Sequence, residues 1–153
     1  MIPPNAPQMQ SKAPQSRVGF EAVVPFDYLT EISLGANATG TNTLVLDNEG
    51  FFELHYMLGM SSADGLTDVA PNNFKVQMMD GSRRYMSNAL IPQRLIAPYA
   101  AQGGLPEPRP VIYAPNSVFQ FNFLNLVADT NIITIVLKGY KLIGNQSPLN
   151  FQG

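Results

Sequence analysis

Apolar and polar residues alternate with a period of two over many short stretches of the chain from Val18 onward. The clearest case is Val118–Leu124, where every second residue is phenylalanine and the residues between are glutamine and asparagine. Successive side chains of a β-strand point to opposite faces, so this stretch is predicted to bury one face and leave the other wetter. The predicted inward residues are Phe119, Phe121 and Phe123, and the predicted outward residues are Gln120 and Asn122. No segment of about 11 or more residues has helical periodicity, which predicts an all-β fold.

Eight or nine strands separated by turn residues are predicted between Val18 and Ile143. Glycine, proline, asparagine and aspartate interrupt the apolar stretches at intervals of roughly 8–12 residues, which is typical of a β-sandwich or jelly roll. Asp80-Gly81 predicts a tight hairpin turn. The predicted strands are Val18–Phe26, Ile32–Leu34, Thr41–Leu46, Phe51–Met60, Asn73–Met79, Ser82–Asn88, Val111–Ala114, Val118–Leu124 and Asn131–Ile143.

Two of these strands have features beyond plain alternation. Asn131–Ile143 is apolar on both faces in its first half, which predicts a central strand covered on both sides. Gly139 interrupts it, and a close backbone approach or a bulge is expected there. In Phe51–Met60 the alternation predicts one apolar face of Phe52, Leu54, Tyr56 and Leu58, opposite Phe51, Glu53, His55 and Met57.

The chain divides into three parts of different composition. Residues 1–17 contain four prolines with glutamines between them, and proline fixes φ and lacks a backbone donor, so this part is predicted to be an extended arm. Residues 18–143 are predicted to form the β-sandwich domain, and residues 144–153 a polar tail. Residues 89–110 are rich in proline and are predicted to be a long loop, a kind of segment that is usually functional.

The arm and the 89–110 loop are expected to contact partner proteins. Preset proline φ angles reduce the entropy that an extended segment loses on binding. The residues assigned to these contacts are Ile2, Pro3, Pro4, Pro7, Met9, Pro14, Pro92, Arg94, Tyr99, Pro106 and Pro108. No residue is assigned to a catalytic, cofactor-binding or metal-binding role.

Composition narrows the class of protein further. Hydrophobic residues make up 45% of the 153 residues, enough for the core of one domain, whereas charged residues make up 13%. The usual share is roughly 25%, and so low a charge favours a surface largely covered by neighbours. The formal net charge is −2, and the single basic pair Arg83-Arg84 is no patch for nucleic acid. The chain has no cysteine, which excludes disulfides and zinc–thiolate sites, and no apolar run of the ~20 residues that a membrane span needs.

Residues that could carry chemistry are few. His55 is the only histidine, and no G-x-S-x-G motif is present, so a catalytic triad is not expected. Asp64 and Asp68 form a D-G-x-x-D pattern, which differs from the calcium loop of an EF-hand. We therefore expect a non-enzymatic protein without a cofactor. Phenylalanine and tyrosine could line a sugar-binding face, although the chain has no tryptophan.

Several segments of the C-terminal two-thirds resemble a known family. They are Phe74–Asn88 with its D-G turn, the proline-rich Leu105–Pro110, Ala114–Ser117, the alternating Phe119–Leu126 and Ile135–Leu142. This succession of turns and strands, over about residues 44–142, resembles small β-sandwich virion proteins of tailed bacteriophages. The resemblance implies a structural protein of the phage head or its vicinity.

These observations lead to one preferred hypothesis and two alternatives. The preferred one is a capsid decoration or cement protein, assembled in the host cytoplasm and present in the virion in multiple copies or as a homo-oligomer. Its expected partners are the major capsid protein or other virion subunits, with no direct contact to nucleic acid or membrane. A collar, head–tail connector or fibre-base protein is the alternative of the same class. A carbohydrate-binding module is the alternative of a different class.

Overall fold

Eight β-strands account for the fold. The computed structural model describes residues 20–64, 73–95 and 105–144, with the backbone alone for Arg94 and residues 105–109. The strands are β1 (Ala22–Leu34), β2 (Thr39–Val45), β3 (Phe51–Ser62), β4 (Phe74–Met79), β5 (Ile91–Pro92), β6 (Leu105–Tyr113), β7 (Val118–Asn125) and β8 (Asn131–Ile143). One turn of 3₁₀ helix covers Gln93–Leu95, and the described residues contain no α-helix. The predicted arm and the predicted tail beyond Gly144 lie outside the described residues.

The strands form two antiparallel four-stranded sheets, which confirms the predicted all-β sandwich. The first sheet has the order β1-β8-β3-β6 and the second has the order β2-β7-β4-β5. The pairing is nested, because β1 pairs with β8, β2 with β7, β3 with β6, and β4 with β5. This is the arrangement produced when one long antiparallel hairpin of eight strands is rolled into two facing sheets.

Aromatic residues of β7 fill the core as the alternation predicts. Phe119, Phe121 and Phe123 are at most 1% exposed and point between the sheets. The outward residues Gln120 and Asn122 are half-buried and join a polar network on the outer surface of the second sheet. In this network Asn122 Oδ1 accepts hydrogen bonds from the Thr41 hydroxyl and from Gln120 Nε2.

A β-bulge in β3 corrects the predicted faces of that strand. Leu54 pairs with Gly139 and Tyr56 pairs with Lys138, the adjacent residue of β8, so His55 is the extra residue of the bulge. Because side chains alternate, one extra residue moves every later side chain to the opposite face. Met57 is consequently in the core at 2% exposure, whereas Tyr56 and Leu58 point outward and are half-buried. The prediction that Tyr56 and Leu58 share the face of Leu54 is therefore wrong.

The first strand is longer than predicted. The sequence suggested separate strands at Val18–Phe26 and Ile32–Leu34, but β1 runs without a break from Ala22 to Leu34. Asp27 and Glu31, two charged residues between the predicted strands, both point to the exposed side of β1. All 13 residues of β1 pair with β8, so the segment forms one continuous strand.

The predicted strand Ser82–Asn88 is instead an irregular turn. Asp80 Oδ1 accepts hydrogen bonds from the backbone N–H groups of Ser82 and Arg84, and Arg83 has a positive φ of 60°. Because these two N–H groups donate to Asp80, they do not take part in the hydrogen-bond pattern of a β-ladder. The segment instead forms an isolated β-bridge between Met79 and Tyr85. The short β5 takes the place of the predicted strand beside β4.

Part of the predicted 89–110 loop is a strand. Residues 105–110 belong to β6 despite three prolines in that stretch. β6 is an edge strand of the first sheet, where the N–H that proline lacks is not needed for a second ladder. Prolines on an edge also discourage pairing with another sheet.

A buried lysine closes one end of the sandwich. Lys141 is 4% exposed, and its Nζ donates hydrogen bonds to Asp47 Oδ2 at 2.5 Å and Glu49 Oε2 at 2.7 Å. Asp47 and Glu49 belong to the turn between β2 and β3. Burial acts to lower the pKa of Lys141, but the hydrogen bonds that it donates to both carboxylates outweigh this effect and raise the pKa above its usual value. The contact ties the turn to β8.

Candidate binding groove on the outer face of the first sheet

The face of β1, β8 and β3 that points away from the core is the outer face of the first sheet. The registers of the two strand pairs place its residues in rows that cross the three strands. In order along β1, the rows are Val23–Leu142–Phe51, Pro25–Tyr140–Glu53, Asp27–Lys138–Tyr56, Leu29–Val136–Leu58, Glu31–Thr134–Met60 and Ser33–Ile132–Ser62. This surface is unusually apolar for the outside of a sheet, and Leu29 at its edge is 56% exposed.

A cavity of about 390 Å³ opens on this face across the second and third rows. We call it the groove. Its walls combine aromatic rings, a proline and one ion pair, which is the mixture of apolar surface and few polar groups found in binding sites. The lining residues are Pro25, Phe26, Asp27, His55, Tyr56, Lys138, Gly139 and Tyr140.

The bulge of β3 and a glycine of β8 shape the groove together. His55 is the extra residue of the bulge, and bulges commonly redirect a side chain next to a functional site. Gly139 pairs with Leu54 beside the bulge, and a Cβ atom added at Gly139 would clash with the carbonyl oxygen of Glu53. The close backbone approach expected at Gly139 is confirmed.

The polar side chains of the groove are held by one another. His55 Nε2 lies 2.5 Å from Glu53 Oε1, and the Glu53 side chain is 1% exposed. The His55 ring also packs edge-on against Tyr140, with 5.1 Å between the ring centroids. Beside them, Lys138 Nζ donates a hydrogen bond of 2.6 Å to Asp27 Oδ2, which raises the pKa of Lys138.

This arrangement is suited to binding. The lining joins apolar and aromatic surface to the charged Asp27–Lys138 pair. The lining residues named above include no serine, threonine or cysteine. Lys138, whose pKa is raised, is a protonated hydrogen-bond donor at neutral pH. The described residues also contain no cluster of three or more His, Asp or Glu side chains that could hold a metal ion.

Four of the partner contacts predicted from sequence fall within the described residues, and they are not among the residues that line the groove. Pro92 is half-buried in β5, the edge strand of the second sheet, and the backbone of Arg94 lies in the following 3₁₀ turn. The backbones of Pro106 and Pro108 lie in β6, the opposite edge of the first sheet from β1. None of these four is among the residues named as lining the groove. The other seven predicted contacts lie outside the described residues, and they are Ile2, Pro3, Pro4, Pro7, Met9, Pro14 and Tyr99.

Sequence reasoning did not single out the groove. It noted Gly139 as a point of close approach and His55 as the only histidine, but it did not connect them with Pro25, Tyr56 or Tyr140. The one available signal was the spacing of Leu54 and Met57, two apolar residues three positions apart within an otherwise alternating strand. That spacing is what a one-residue bulge produces.

Two comparisons of the sequence with known proteins found no relative. A scan against protein-family models and a search of curated protein sequences both gave no match. In the described part of the chain, no helix has the length and hydropathy to span a membrane.

Proposed function

We propose that this protein is a non-enzymatic structural subunit of a phage particle that binds and stabilises the capsid by packing against neighbouring subunits. The observation that carries the proposal is the outer face of the first sheet. Leu29, Val136 and Leu58 form an apolar row across three strands there, in a chain with only 13% charged residues. An apolar row that is partly exposed on a sheet favours burial against another protein.

The outer surface of the second sheet supports the same role. Its hydrogen-bonded side chains are uncharged and include Thr41, Asn122 and Gln77, and Asn122 Nδ2 donates to Gln77 Oε1. Uncharged amides and hydroxyls can be covered by a partner at a far lower desolvation cost than charged groups. Both sheets can therefore take part in close packing.

The nested strand pairing adds support at the level of fold. Nested pairing of this kind is typical of a jelly roll, an architecture of viral capsid domains and also of lectins. Fold alone does not imply function, so this is an analogy. It agrees with the resemblance to phage virion proteins described from the sequence.

The experiment measures incorporation into particles for two matched variants. Leu29 and Val45 are 56% and 57% exposed and lie on β1 and β2, the edge strands of the two sheets. Each is replaced by lysine, and incorporation is measured by quantitative mass spectrometry of purified particles. Leu29→Lys should strongly reduce incorporation without loss of thermal stability, whereas Val45→Lys should have a smaller effect. Absence of the wild-type chain from particles, or normal incorporation of Leu29→Lys, would overturn the proposal.

The copy number separates decoration from the alternative of the same class. A decoration protein occurs at many symmetry-related positions on the shell, whereas a collar, connector or fibre-base protein occurs at few. The same mass-spectrometric measurement, calibrated against the major capsid protein, gives the number of copies of this chain for each copy of the capsid protein. A reconstruction of the particle shows the position directly.

A carbohydrate-binding module is a second candidate because of the groove. Tyr56 and Tyr140 offer apolar ring surface, and the Asp27–Lys138 pair offers a hydrogen-bond acceptor and donors beside it. Titration of the purified protein with host-surface oligosaccharides, followed by NMR, tests this function. Shifts confined to residues of the groove would favour it over a purely structural role.

A further inference from the structure

The groove has the chemistry that binds an extended, proline-containing peptide. Pro-rich segments in the polyproline II conformation bind to grooves lined by aromatic rings, because their preset backbone loses little entropy. Tyr56, Tyr140 and His55 supply such rings here, and Pro25 extends the apolar wall. The Lys138 ammonium can donate a hydrogen bond to a peptide carbonyl group, which polyproline II leaves without an internal partner.

The chain itself contains a segment of this kind. Pro4 and Pro7 in the arm are three residues apart, and a polyproline II helix has three residues per turn, so both rings would lie on one side. Apolar Ile2 and Met9 flank them, and the intervening residues Asn5 and Ala6 are small.

The described chain begins beside this face. The Phe20 ring packs against Phe51 of the first row, with 5.7 Å between centroids, and the Glu21 N–H donates to the carbonyl of Ile143. The groove begins one row farther on, and rows of a sheet are about 7 Å apart. Pro7 precedes Phe20 by 13 residues, which span about 40 Å in polyproline II geometry. An arm in this fully extended geometry would carry Pro4 and Pro7 well beyond the groove of its own chain, within reach of a neighbouring copy.

Charge complementarity points to the same pairing. The arm contains Lys12 and Arg17 and no acidic residue. Because the whole chain has a formal net charge of −2, the rest of the chain has a net charge of −4. The described rows of the outer face contain three carboxylates, those of Asp27, Glu31 and Glu53, against the single lysine Lys138. The basic arm and the acidic face attract one another.

We propose that the groove binds the Pro4–Pro7 segment of a second copy of this chain. The inference deepens the proposed structural function and depends on it for its biological role, since it names one partner of the outer face. Each copy then offers one arm and one groove. Such a head-to-tail contact links copies into a ring or an open row. On a particle it would connect neighbouring subunits to one another as well as to the shell.

Complementation between two full-length variants tests the proposal in the absence of any particle. The arm variant is Pro4→Gly with Pro7→Gly, which removes both rings and the preset φ angles. The groove variant is Tyr56→Thr, which removes an aromatic wall while keeping a residue favourable in strands. Matched controls are Gln8→Gly with Gln10→Gly in the arm, and Tyr85→Thr, which replaces an exposed tyrosine that is not among the lining residues of the groove. Pro25→Thr replaces the groove variant if Tyr56→Thr lowers the melting temperature.

Sedimentation velocity over a range of protein concentrations gives the outcome. The wild-type chain and both controls should form concentration-dependent oligomers, and each variant alone should associate about tenfold or more weakly, as for loss of a central aromatic contact. An equal mixture of the two variants should form a one-to-one dimer and nothing larger, because only one arm and one groove remain functional. A wild-type chain that stays monomeric, or a mixture that does not form the dimer, would overturn the proposal.

Two other occupants of the groove have distinct signatures. If each arm binds its own groove, the wild type stays monomeric, and added arm peptide binds the arm variant but not the wild type. If the groove binds sugar instead, Tyr56→Thr loses oligosaccharide binding while self-association is unchanged. Either result overturns binding of the second copy. Normal self-association together with absence of the chain from particles would instead leave this inference standing and refute the proposed virion role.

Discussion

Lys141 Nζ lies 3.7 Å from the centroid of the Phe26 ring, on the side of β8 that faces the core. The same ammonium is held by Asp47 and Glu49, so a buried cation joins an aromatic residue of β1 to the turn between β2 and β3. A cation this deeply buried is stable only because hydrogen bonds and the ring replace its hydration.

Replacement of Lys141 by alanine should lower the free energy of unfolding by about 2 kcal/mol. The change removes the cation–π contact, the packing of the aliphatic stem and the hydrogen bonds to two carboxylates that remain partly hydrated. Lys138→Ala is the matched control, since the Lys138–Asp27 pair is solvent-exposed and should contribute under about 1 kcal/mol. Urea denaturation gives both values, and equal losses would contradict the structural role of Lys141.

The stability difference between wild type and Lys141→Ala should depend on pH at both extremes. The pKa of Lys141 is raised, so its contribution is present below the usual value of 10.5 and is lost as the pH rises through the raised pKa. For Asp47, burial acts to raise the pKa, but the hydrogen bond from Lys141 outweighs it and lowers this pKa. Its contribution is therefore present above 3.8 and is lost as the pH falls through the lowered value.

Melting temperatures of the two proteins across the pH range measure this effect. The difference should be constant between about pH 5 and 9 and should shrink toward both ends. A difference that stays the same down to pH 3 would show that Asp47 does not depend on Lys141.

Gly139→Ala should destabilise the protein by at least about 2 kcal/mol. The added methyl group would clash with the backbone carbonyl of Glu53, and backbone cannot move aside as a flexible side chain can. Gly35→Ala is the control, because nothing lies within 4 Å of its added Cβ atom, and it should change stability by under about 0.5 kcal/mol. Guanidinium denaturation measures the loss of stability of both variants. A Gly139→Ala variant as stable as the wild type would mean that the backbone of the bulge at His55 can shift.

Phe121→Ala should lower the free energy of unfolding by roughly 3–5 kcal/mol, because a large side chain 1% exposed would leave a cavity. The neighbouring Gln120→Ala should cost under about 0.5 kcal/mol, since its side chain lies on the outer surface and loses one hydrogen bond to Asn122. Denaturation curves of the two variants test the face assignment. A similar loss for both would show that the outer surface of β7 also contributes to stability.

Plain alternation was enough to predict the sandwich and the inward phenylalanines of β7, because a period of two reports directly which face is buried. It failed at His55 and at Ser82–Asn88 for local reasons. A bulge depends on the approach of β8 at Gly139, and the turn depends on hydrogen bonds from the backbone to Asp80. The groove was beyond prediction because Pro25, Tyr56 and Tyr140 lie on three strands distant in sequence, and their registers are fixed only in the assembled sheet.

The pairing of β1 with β8 also determines when this protein can fold. β1 forms its whole ladder with a strand that begins about a hundred residues later, at Asn131. During synthesis the first sheet therefore stays incomplete until almost all of the described chain has left the ribosome. Long-range β pairing of this kind folds slowly, since the closure of a large loop precedes the contacts that stabilise it. The first sheet is consequently completed only after β8 has been synthesised, and the exposed edge of β1 has to avoid aggregation throughout that delay.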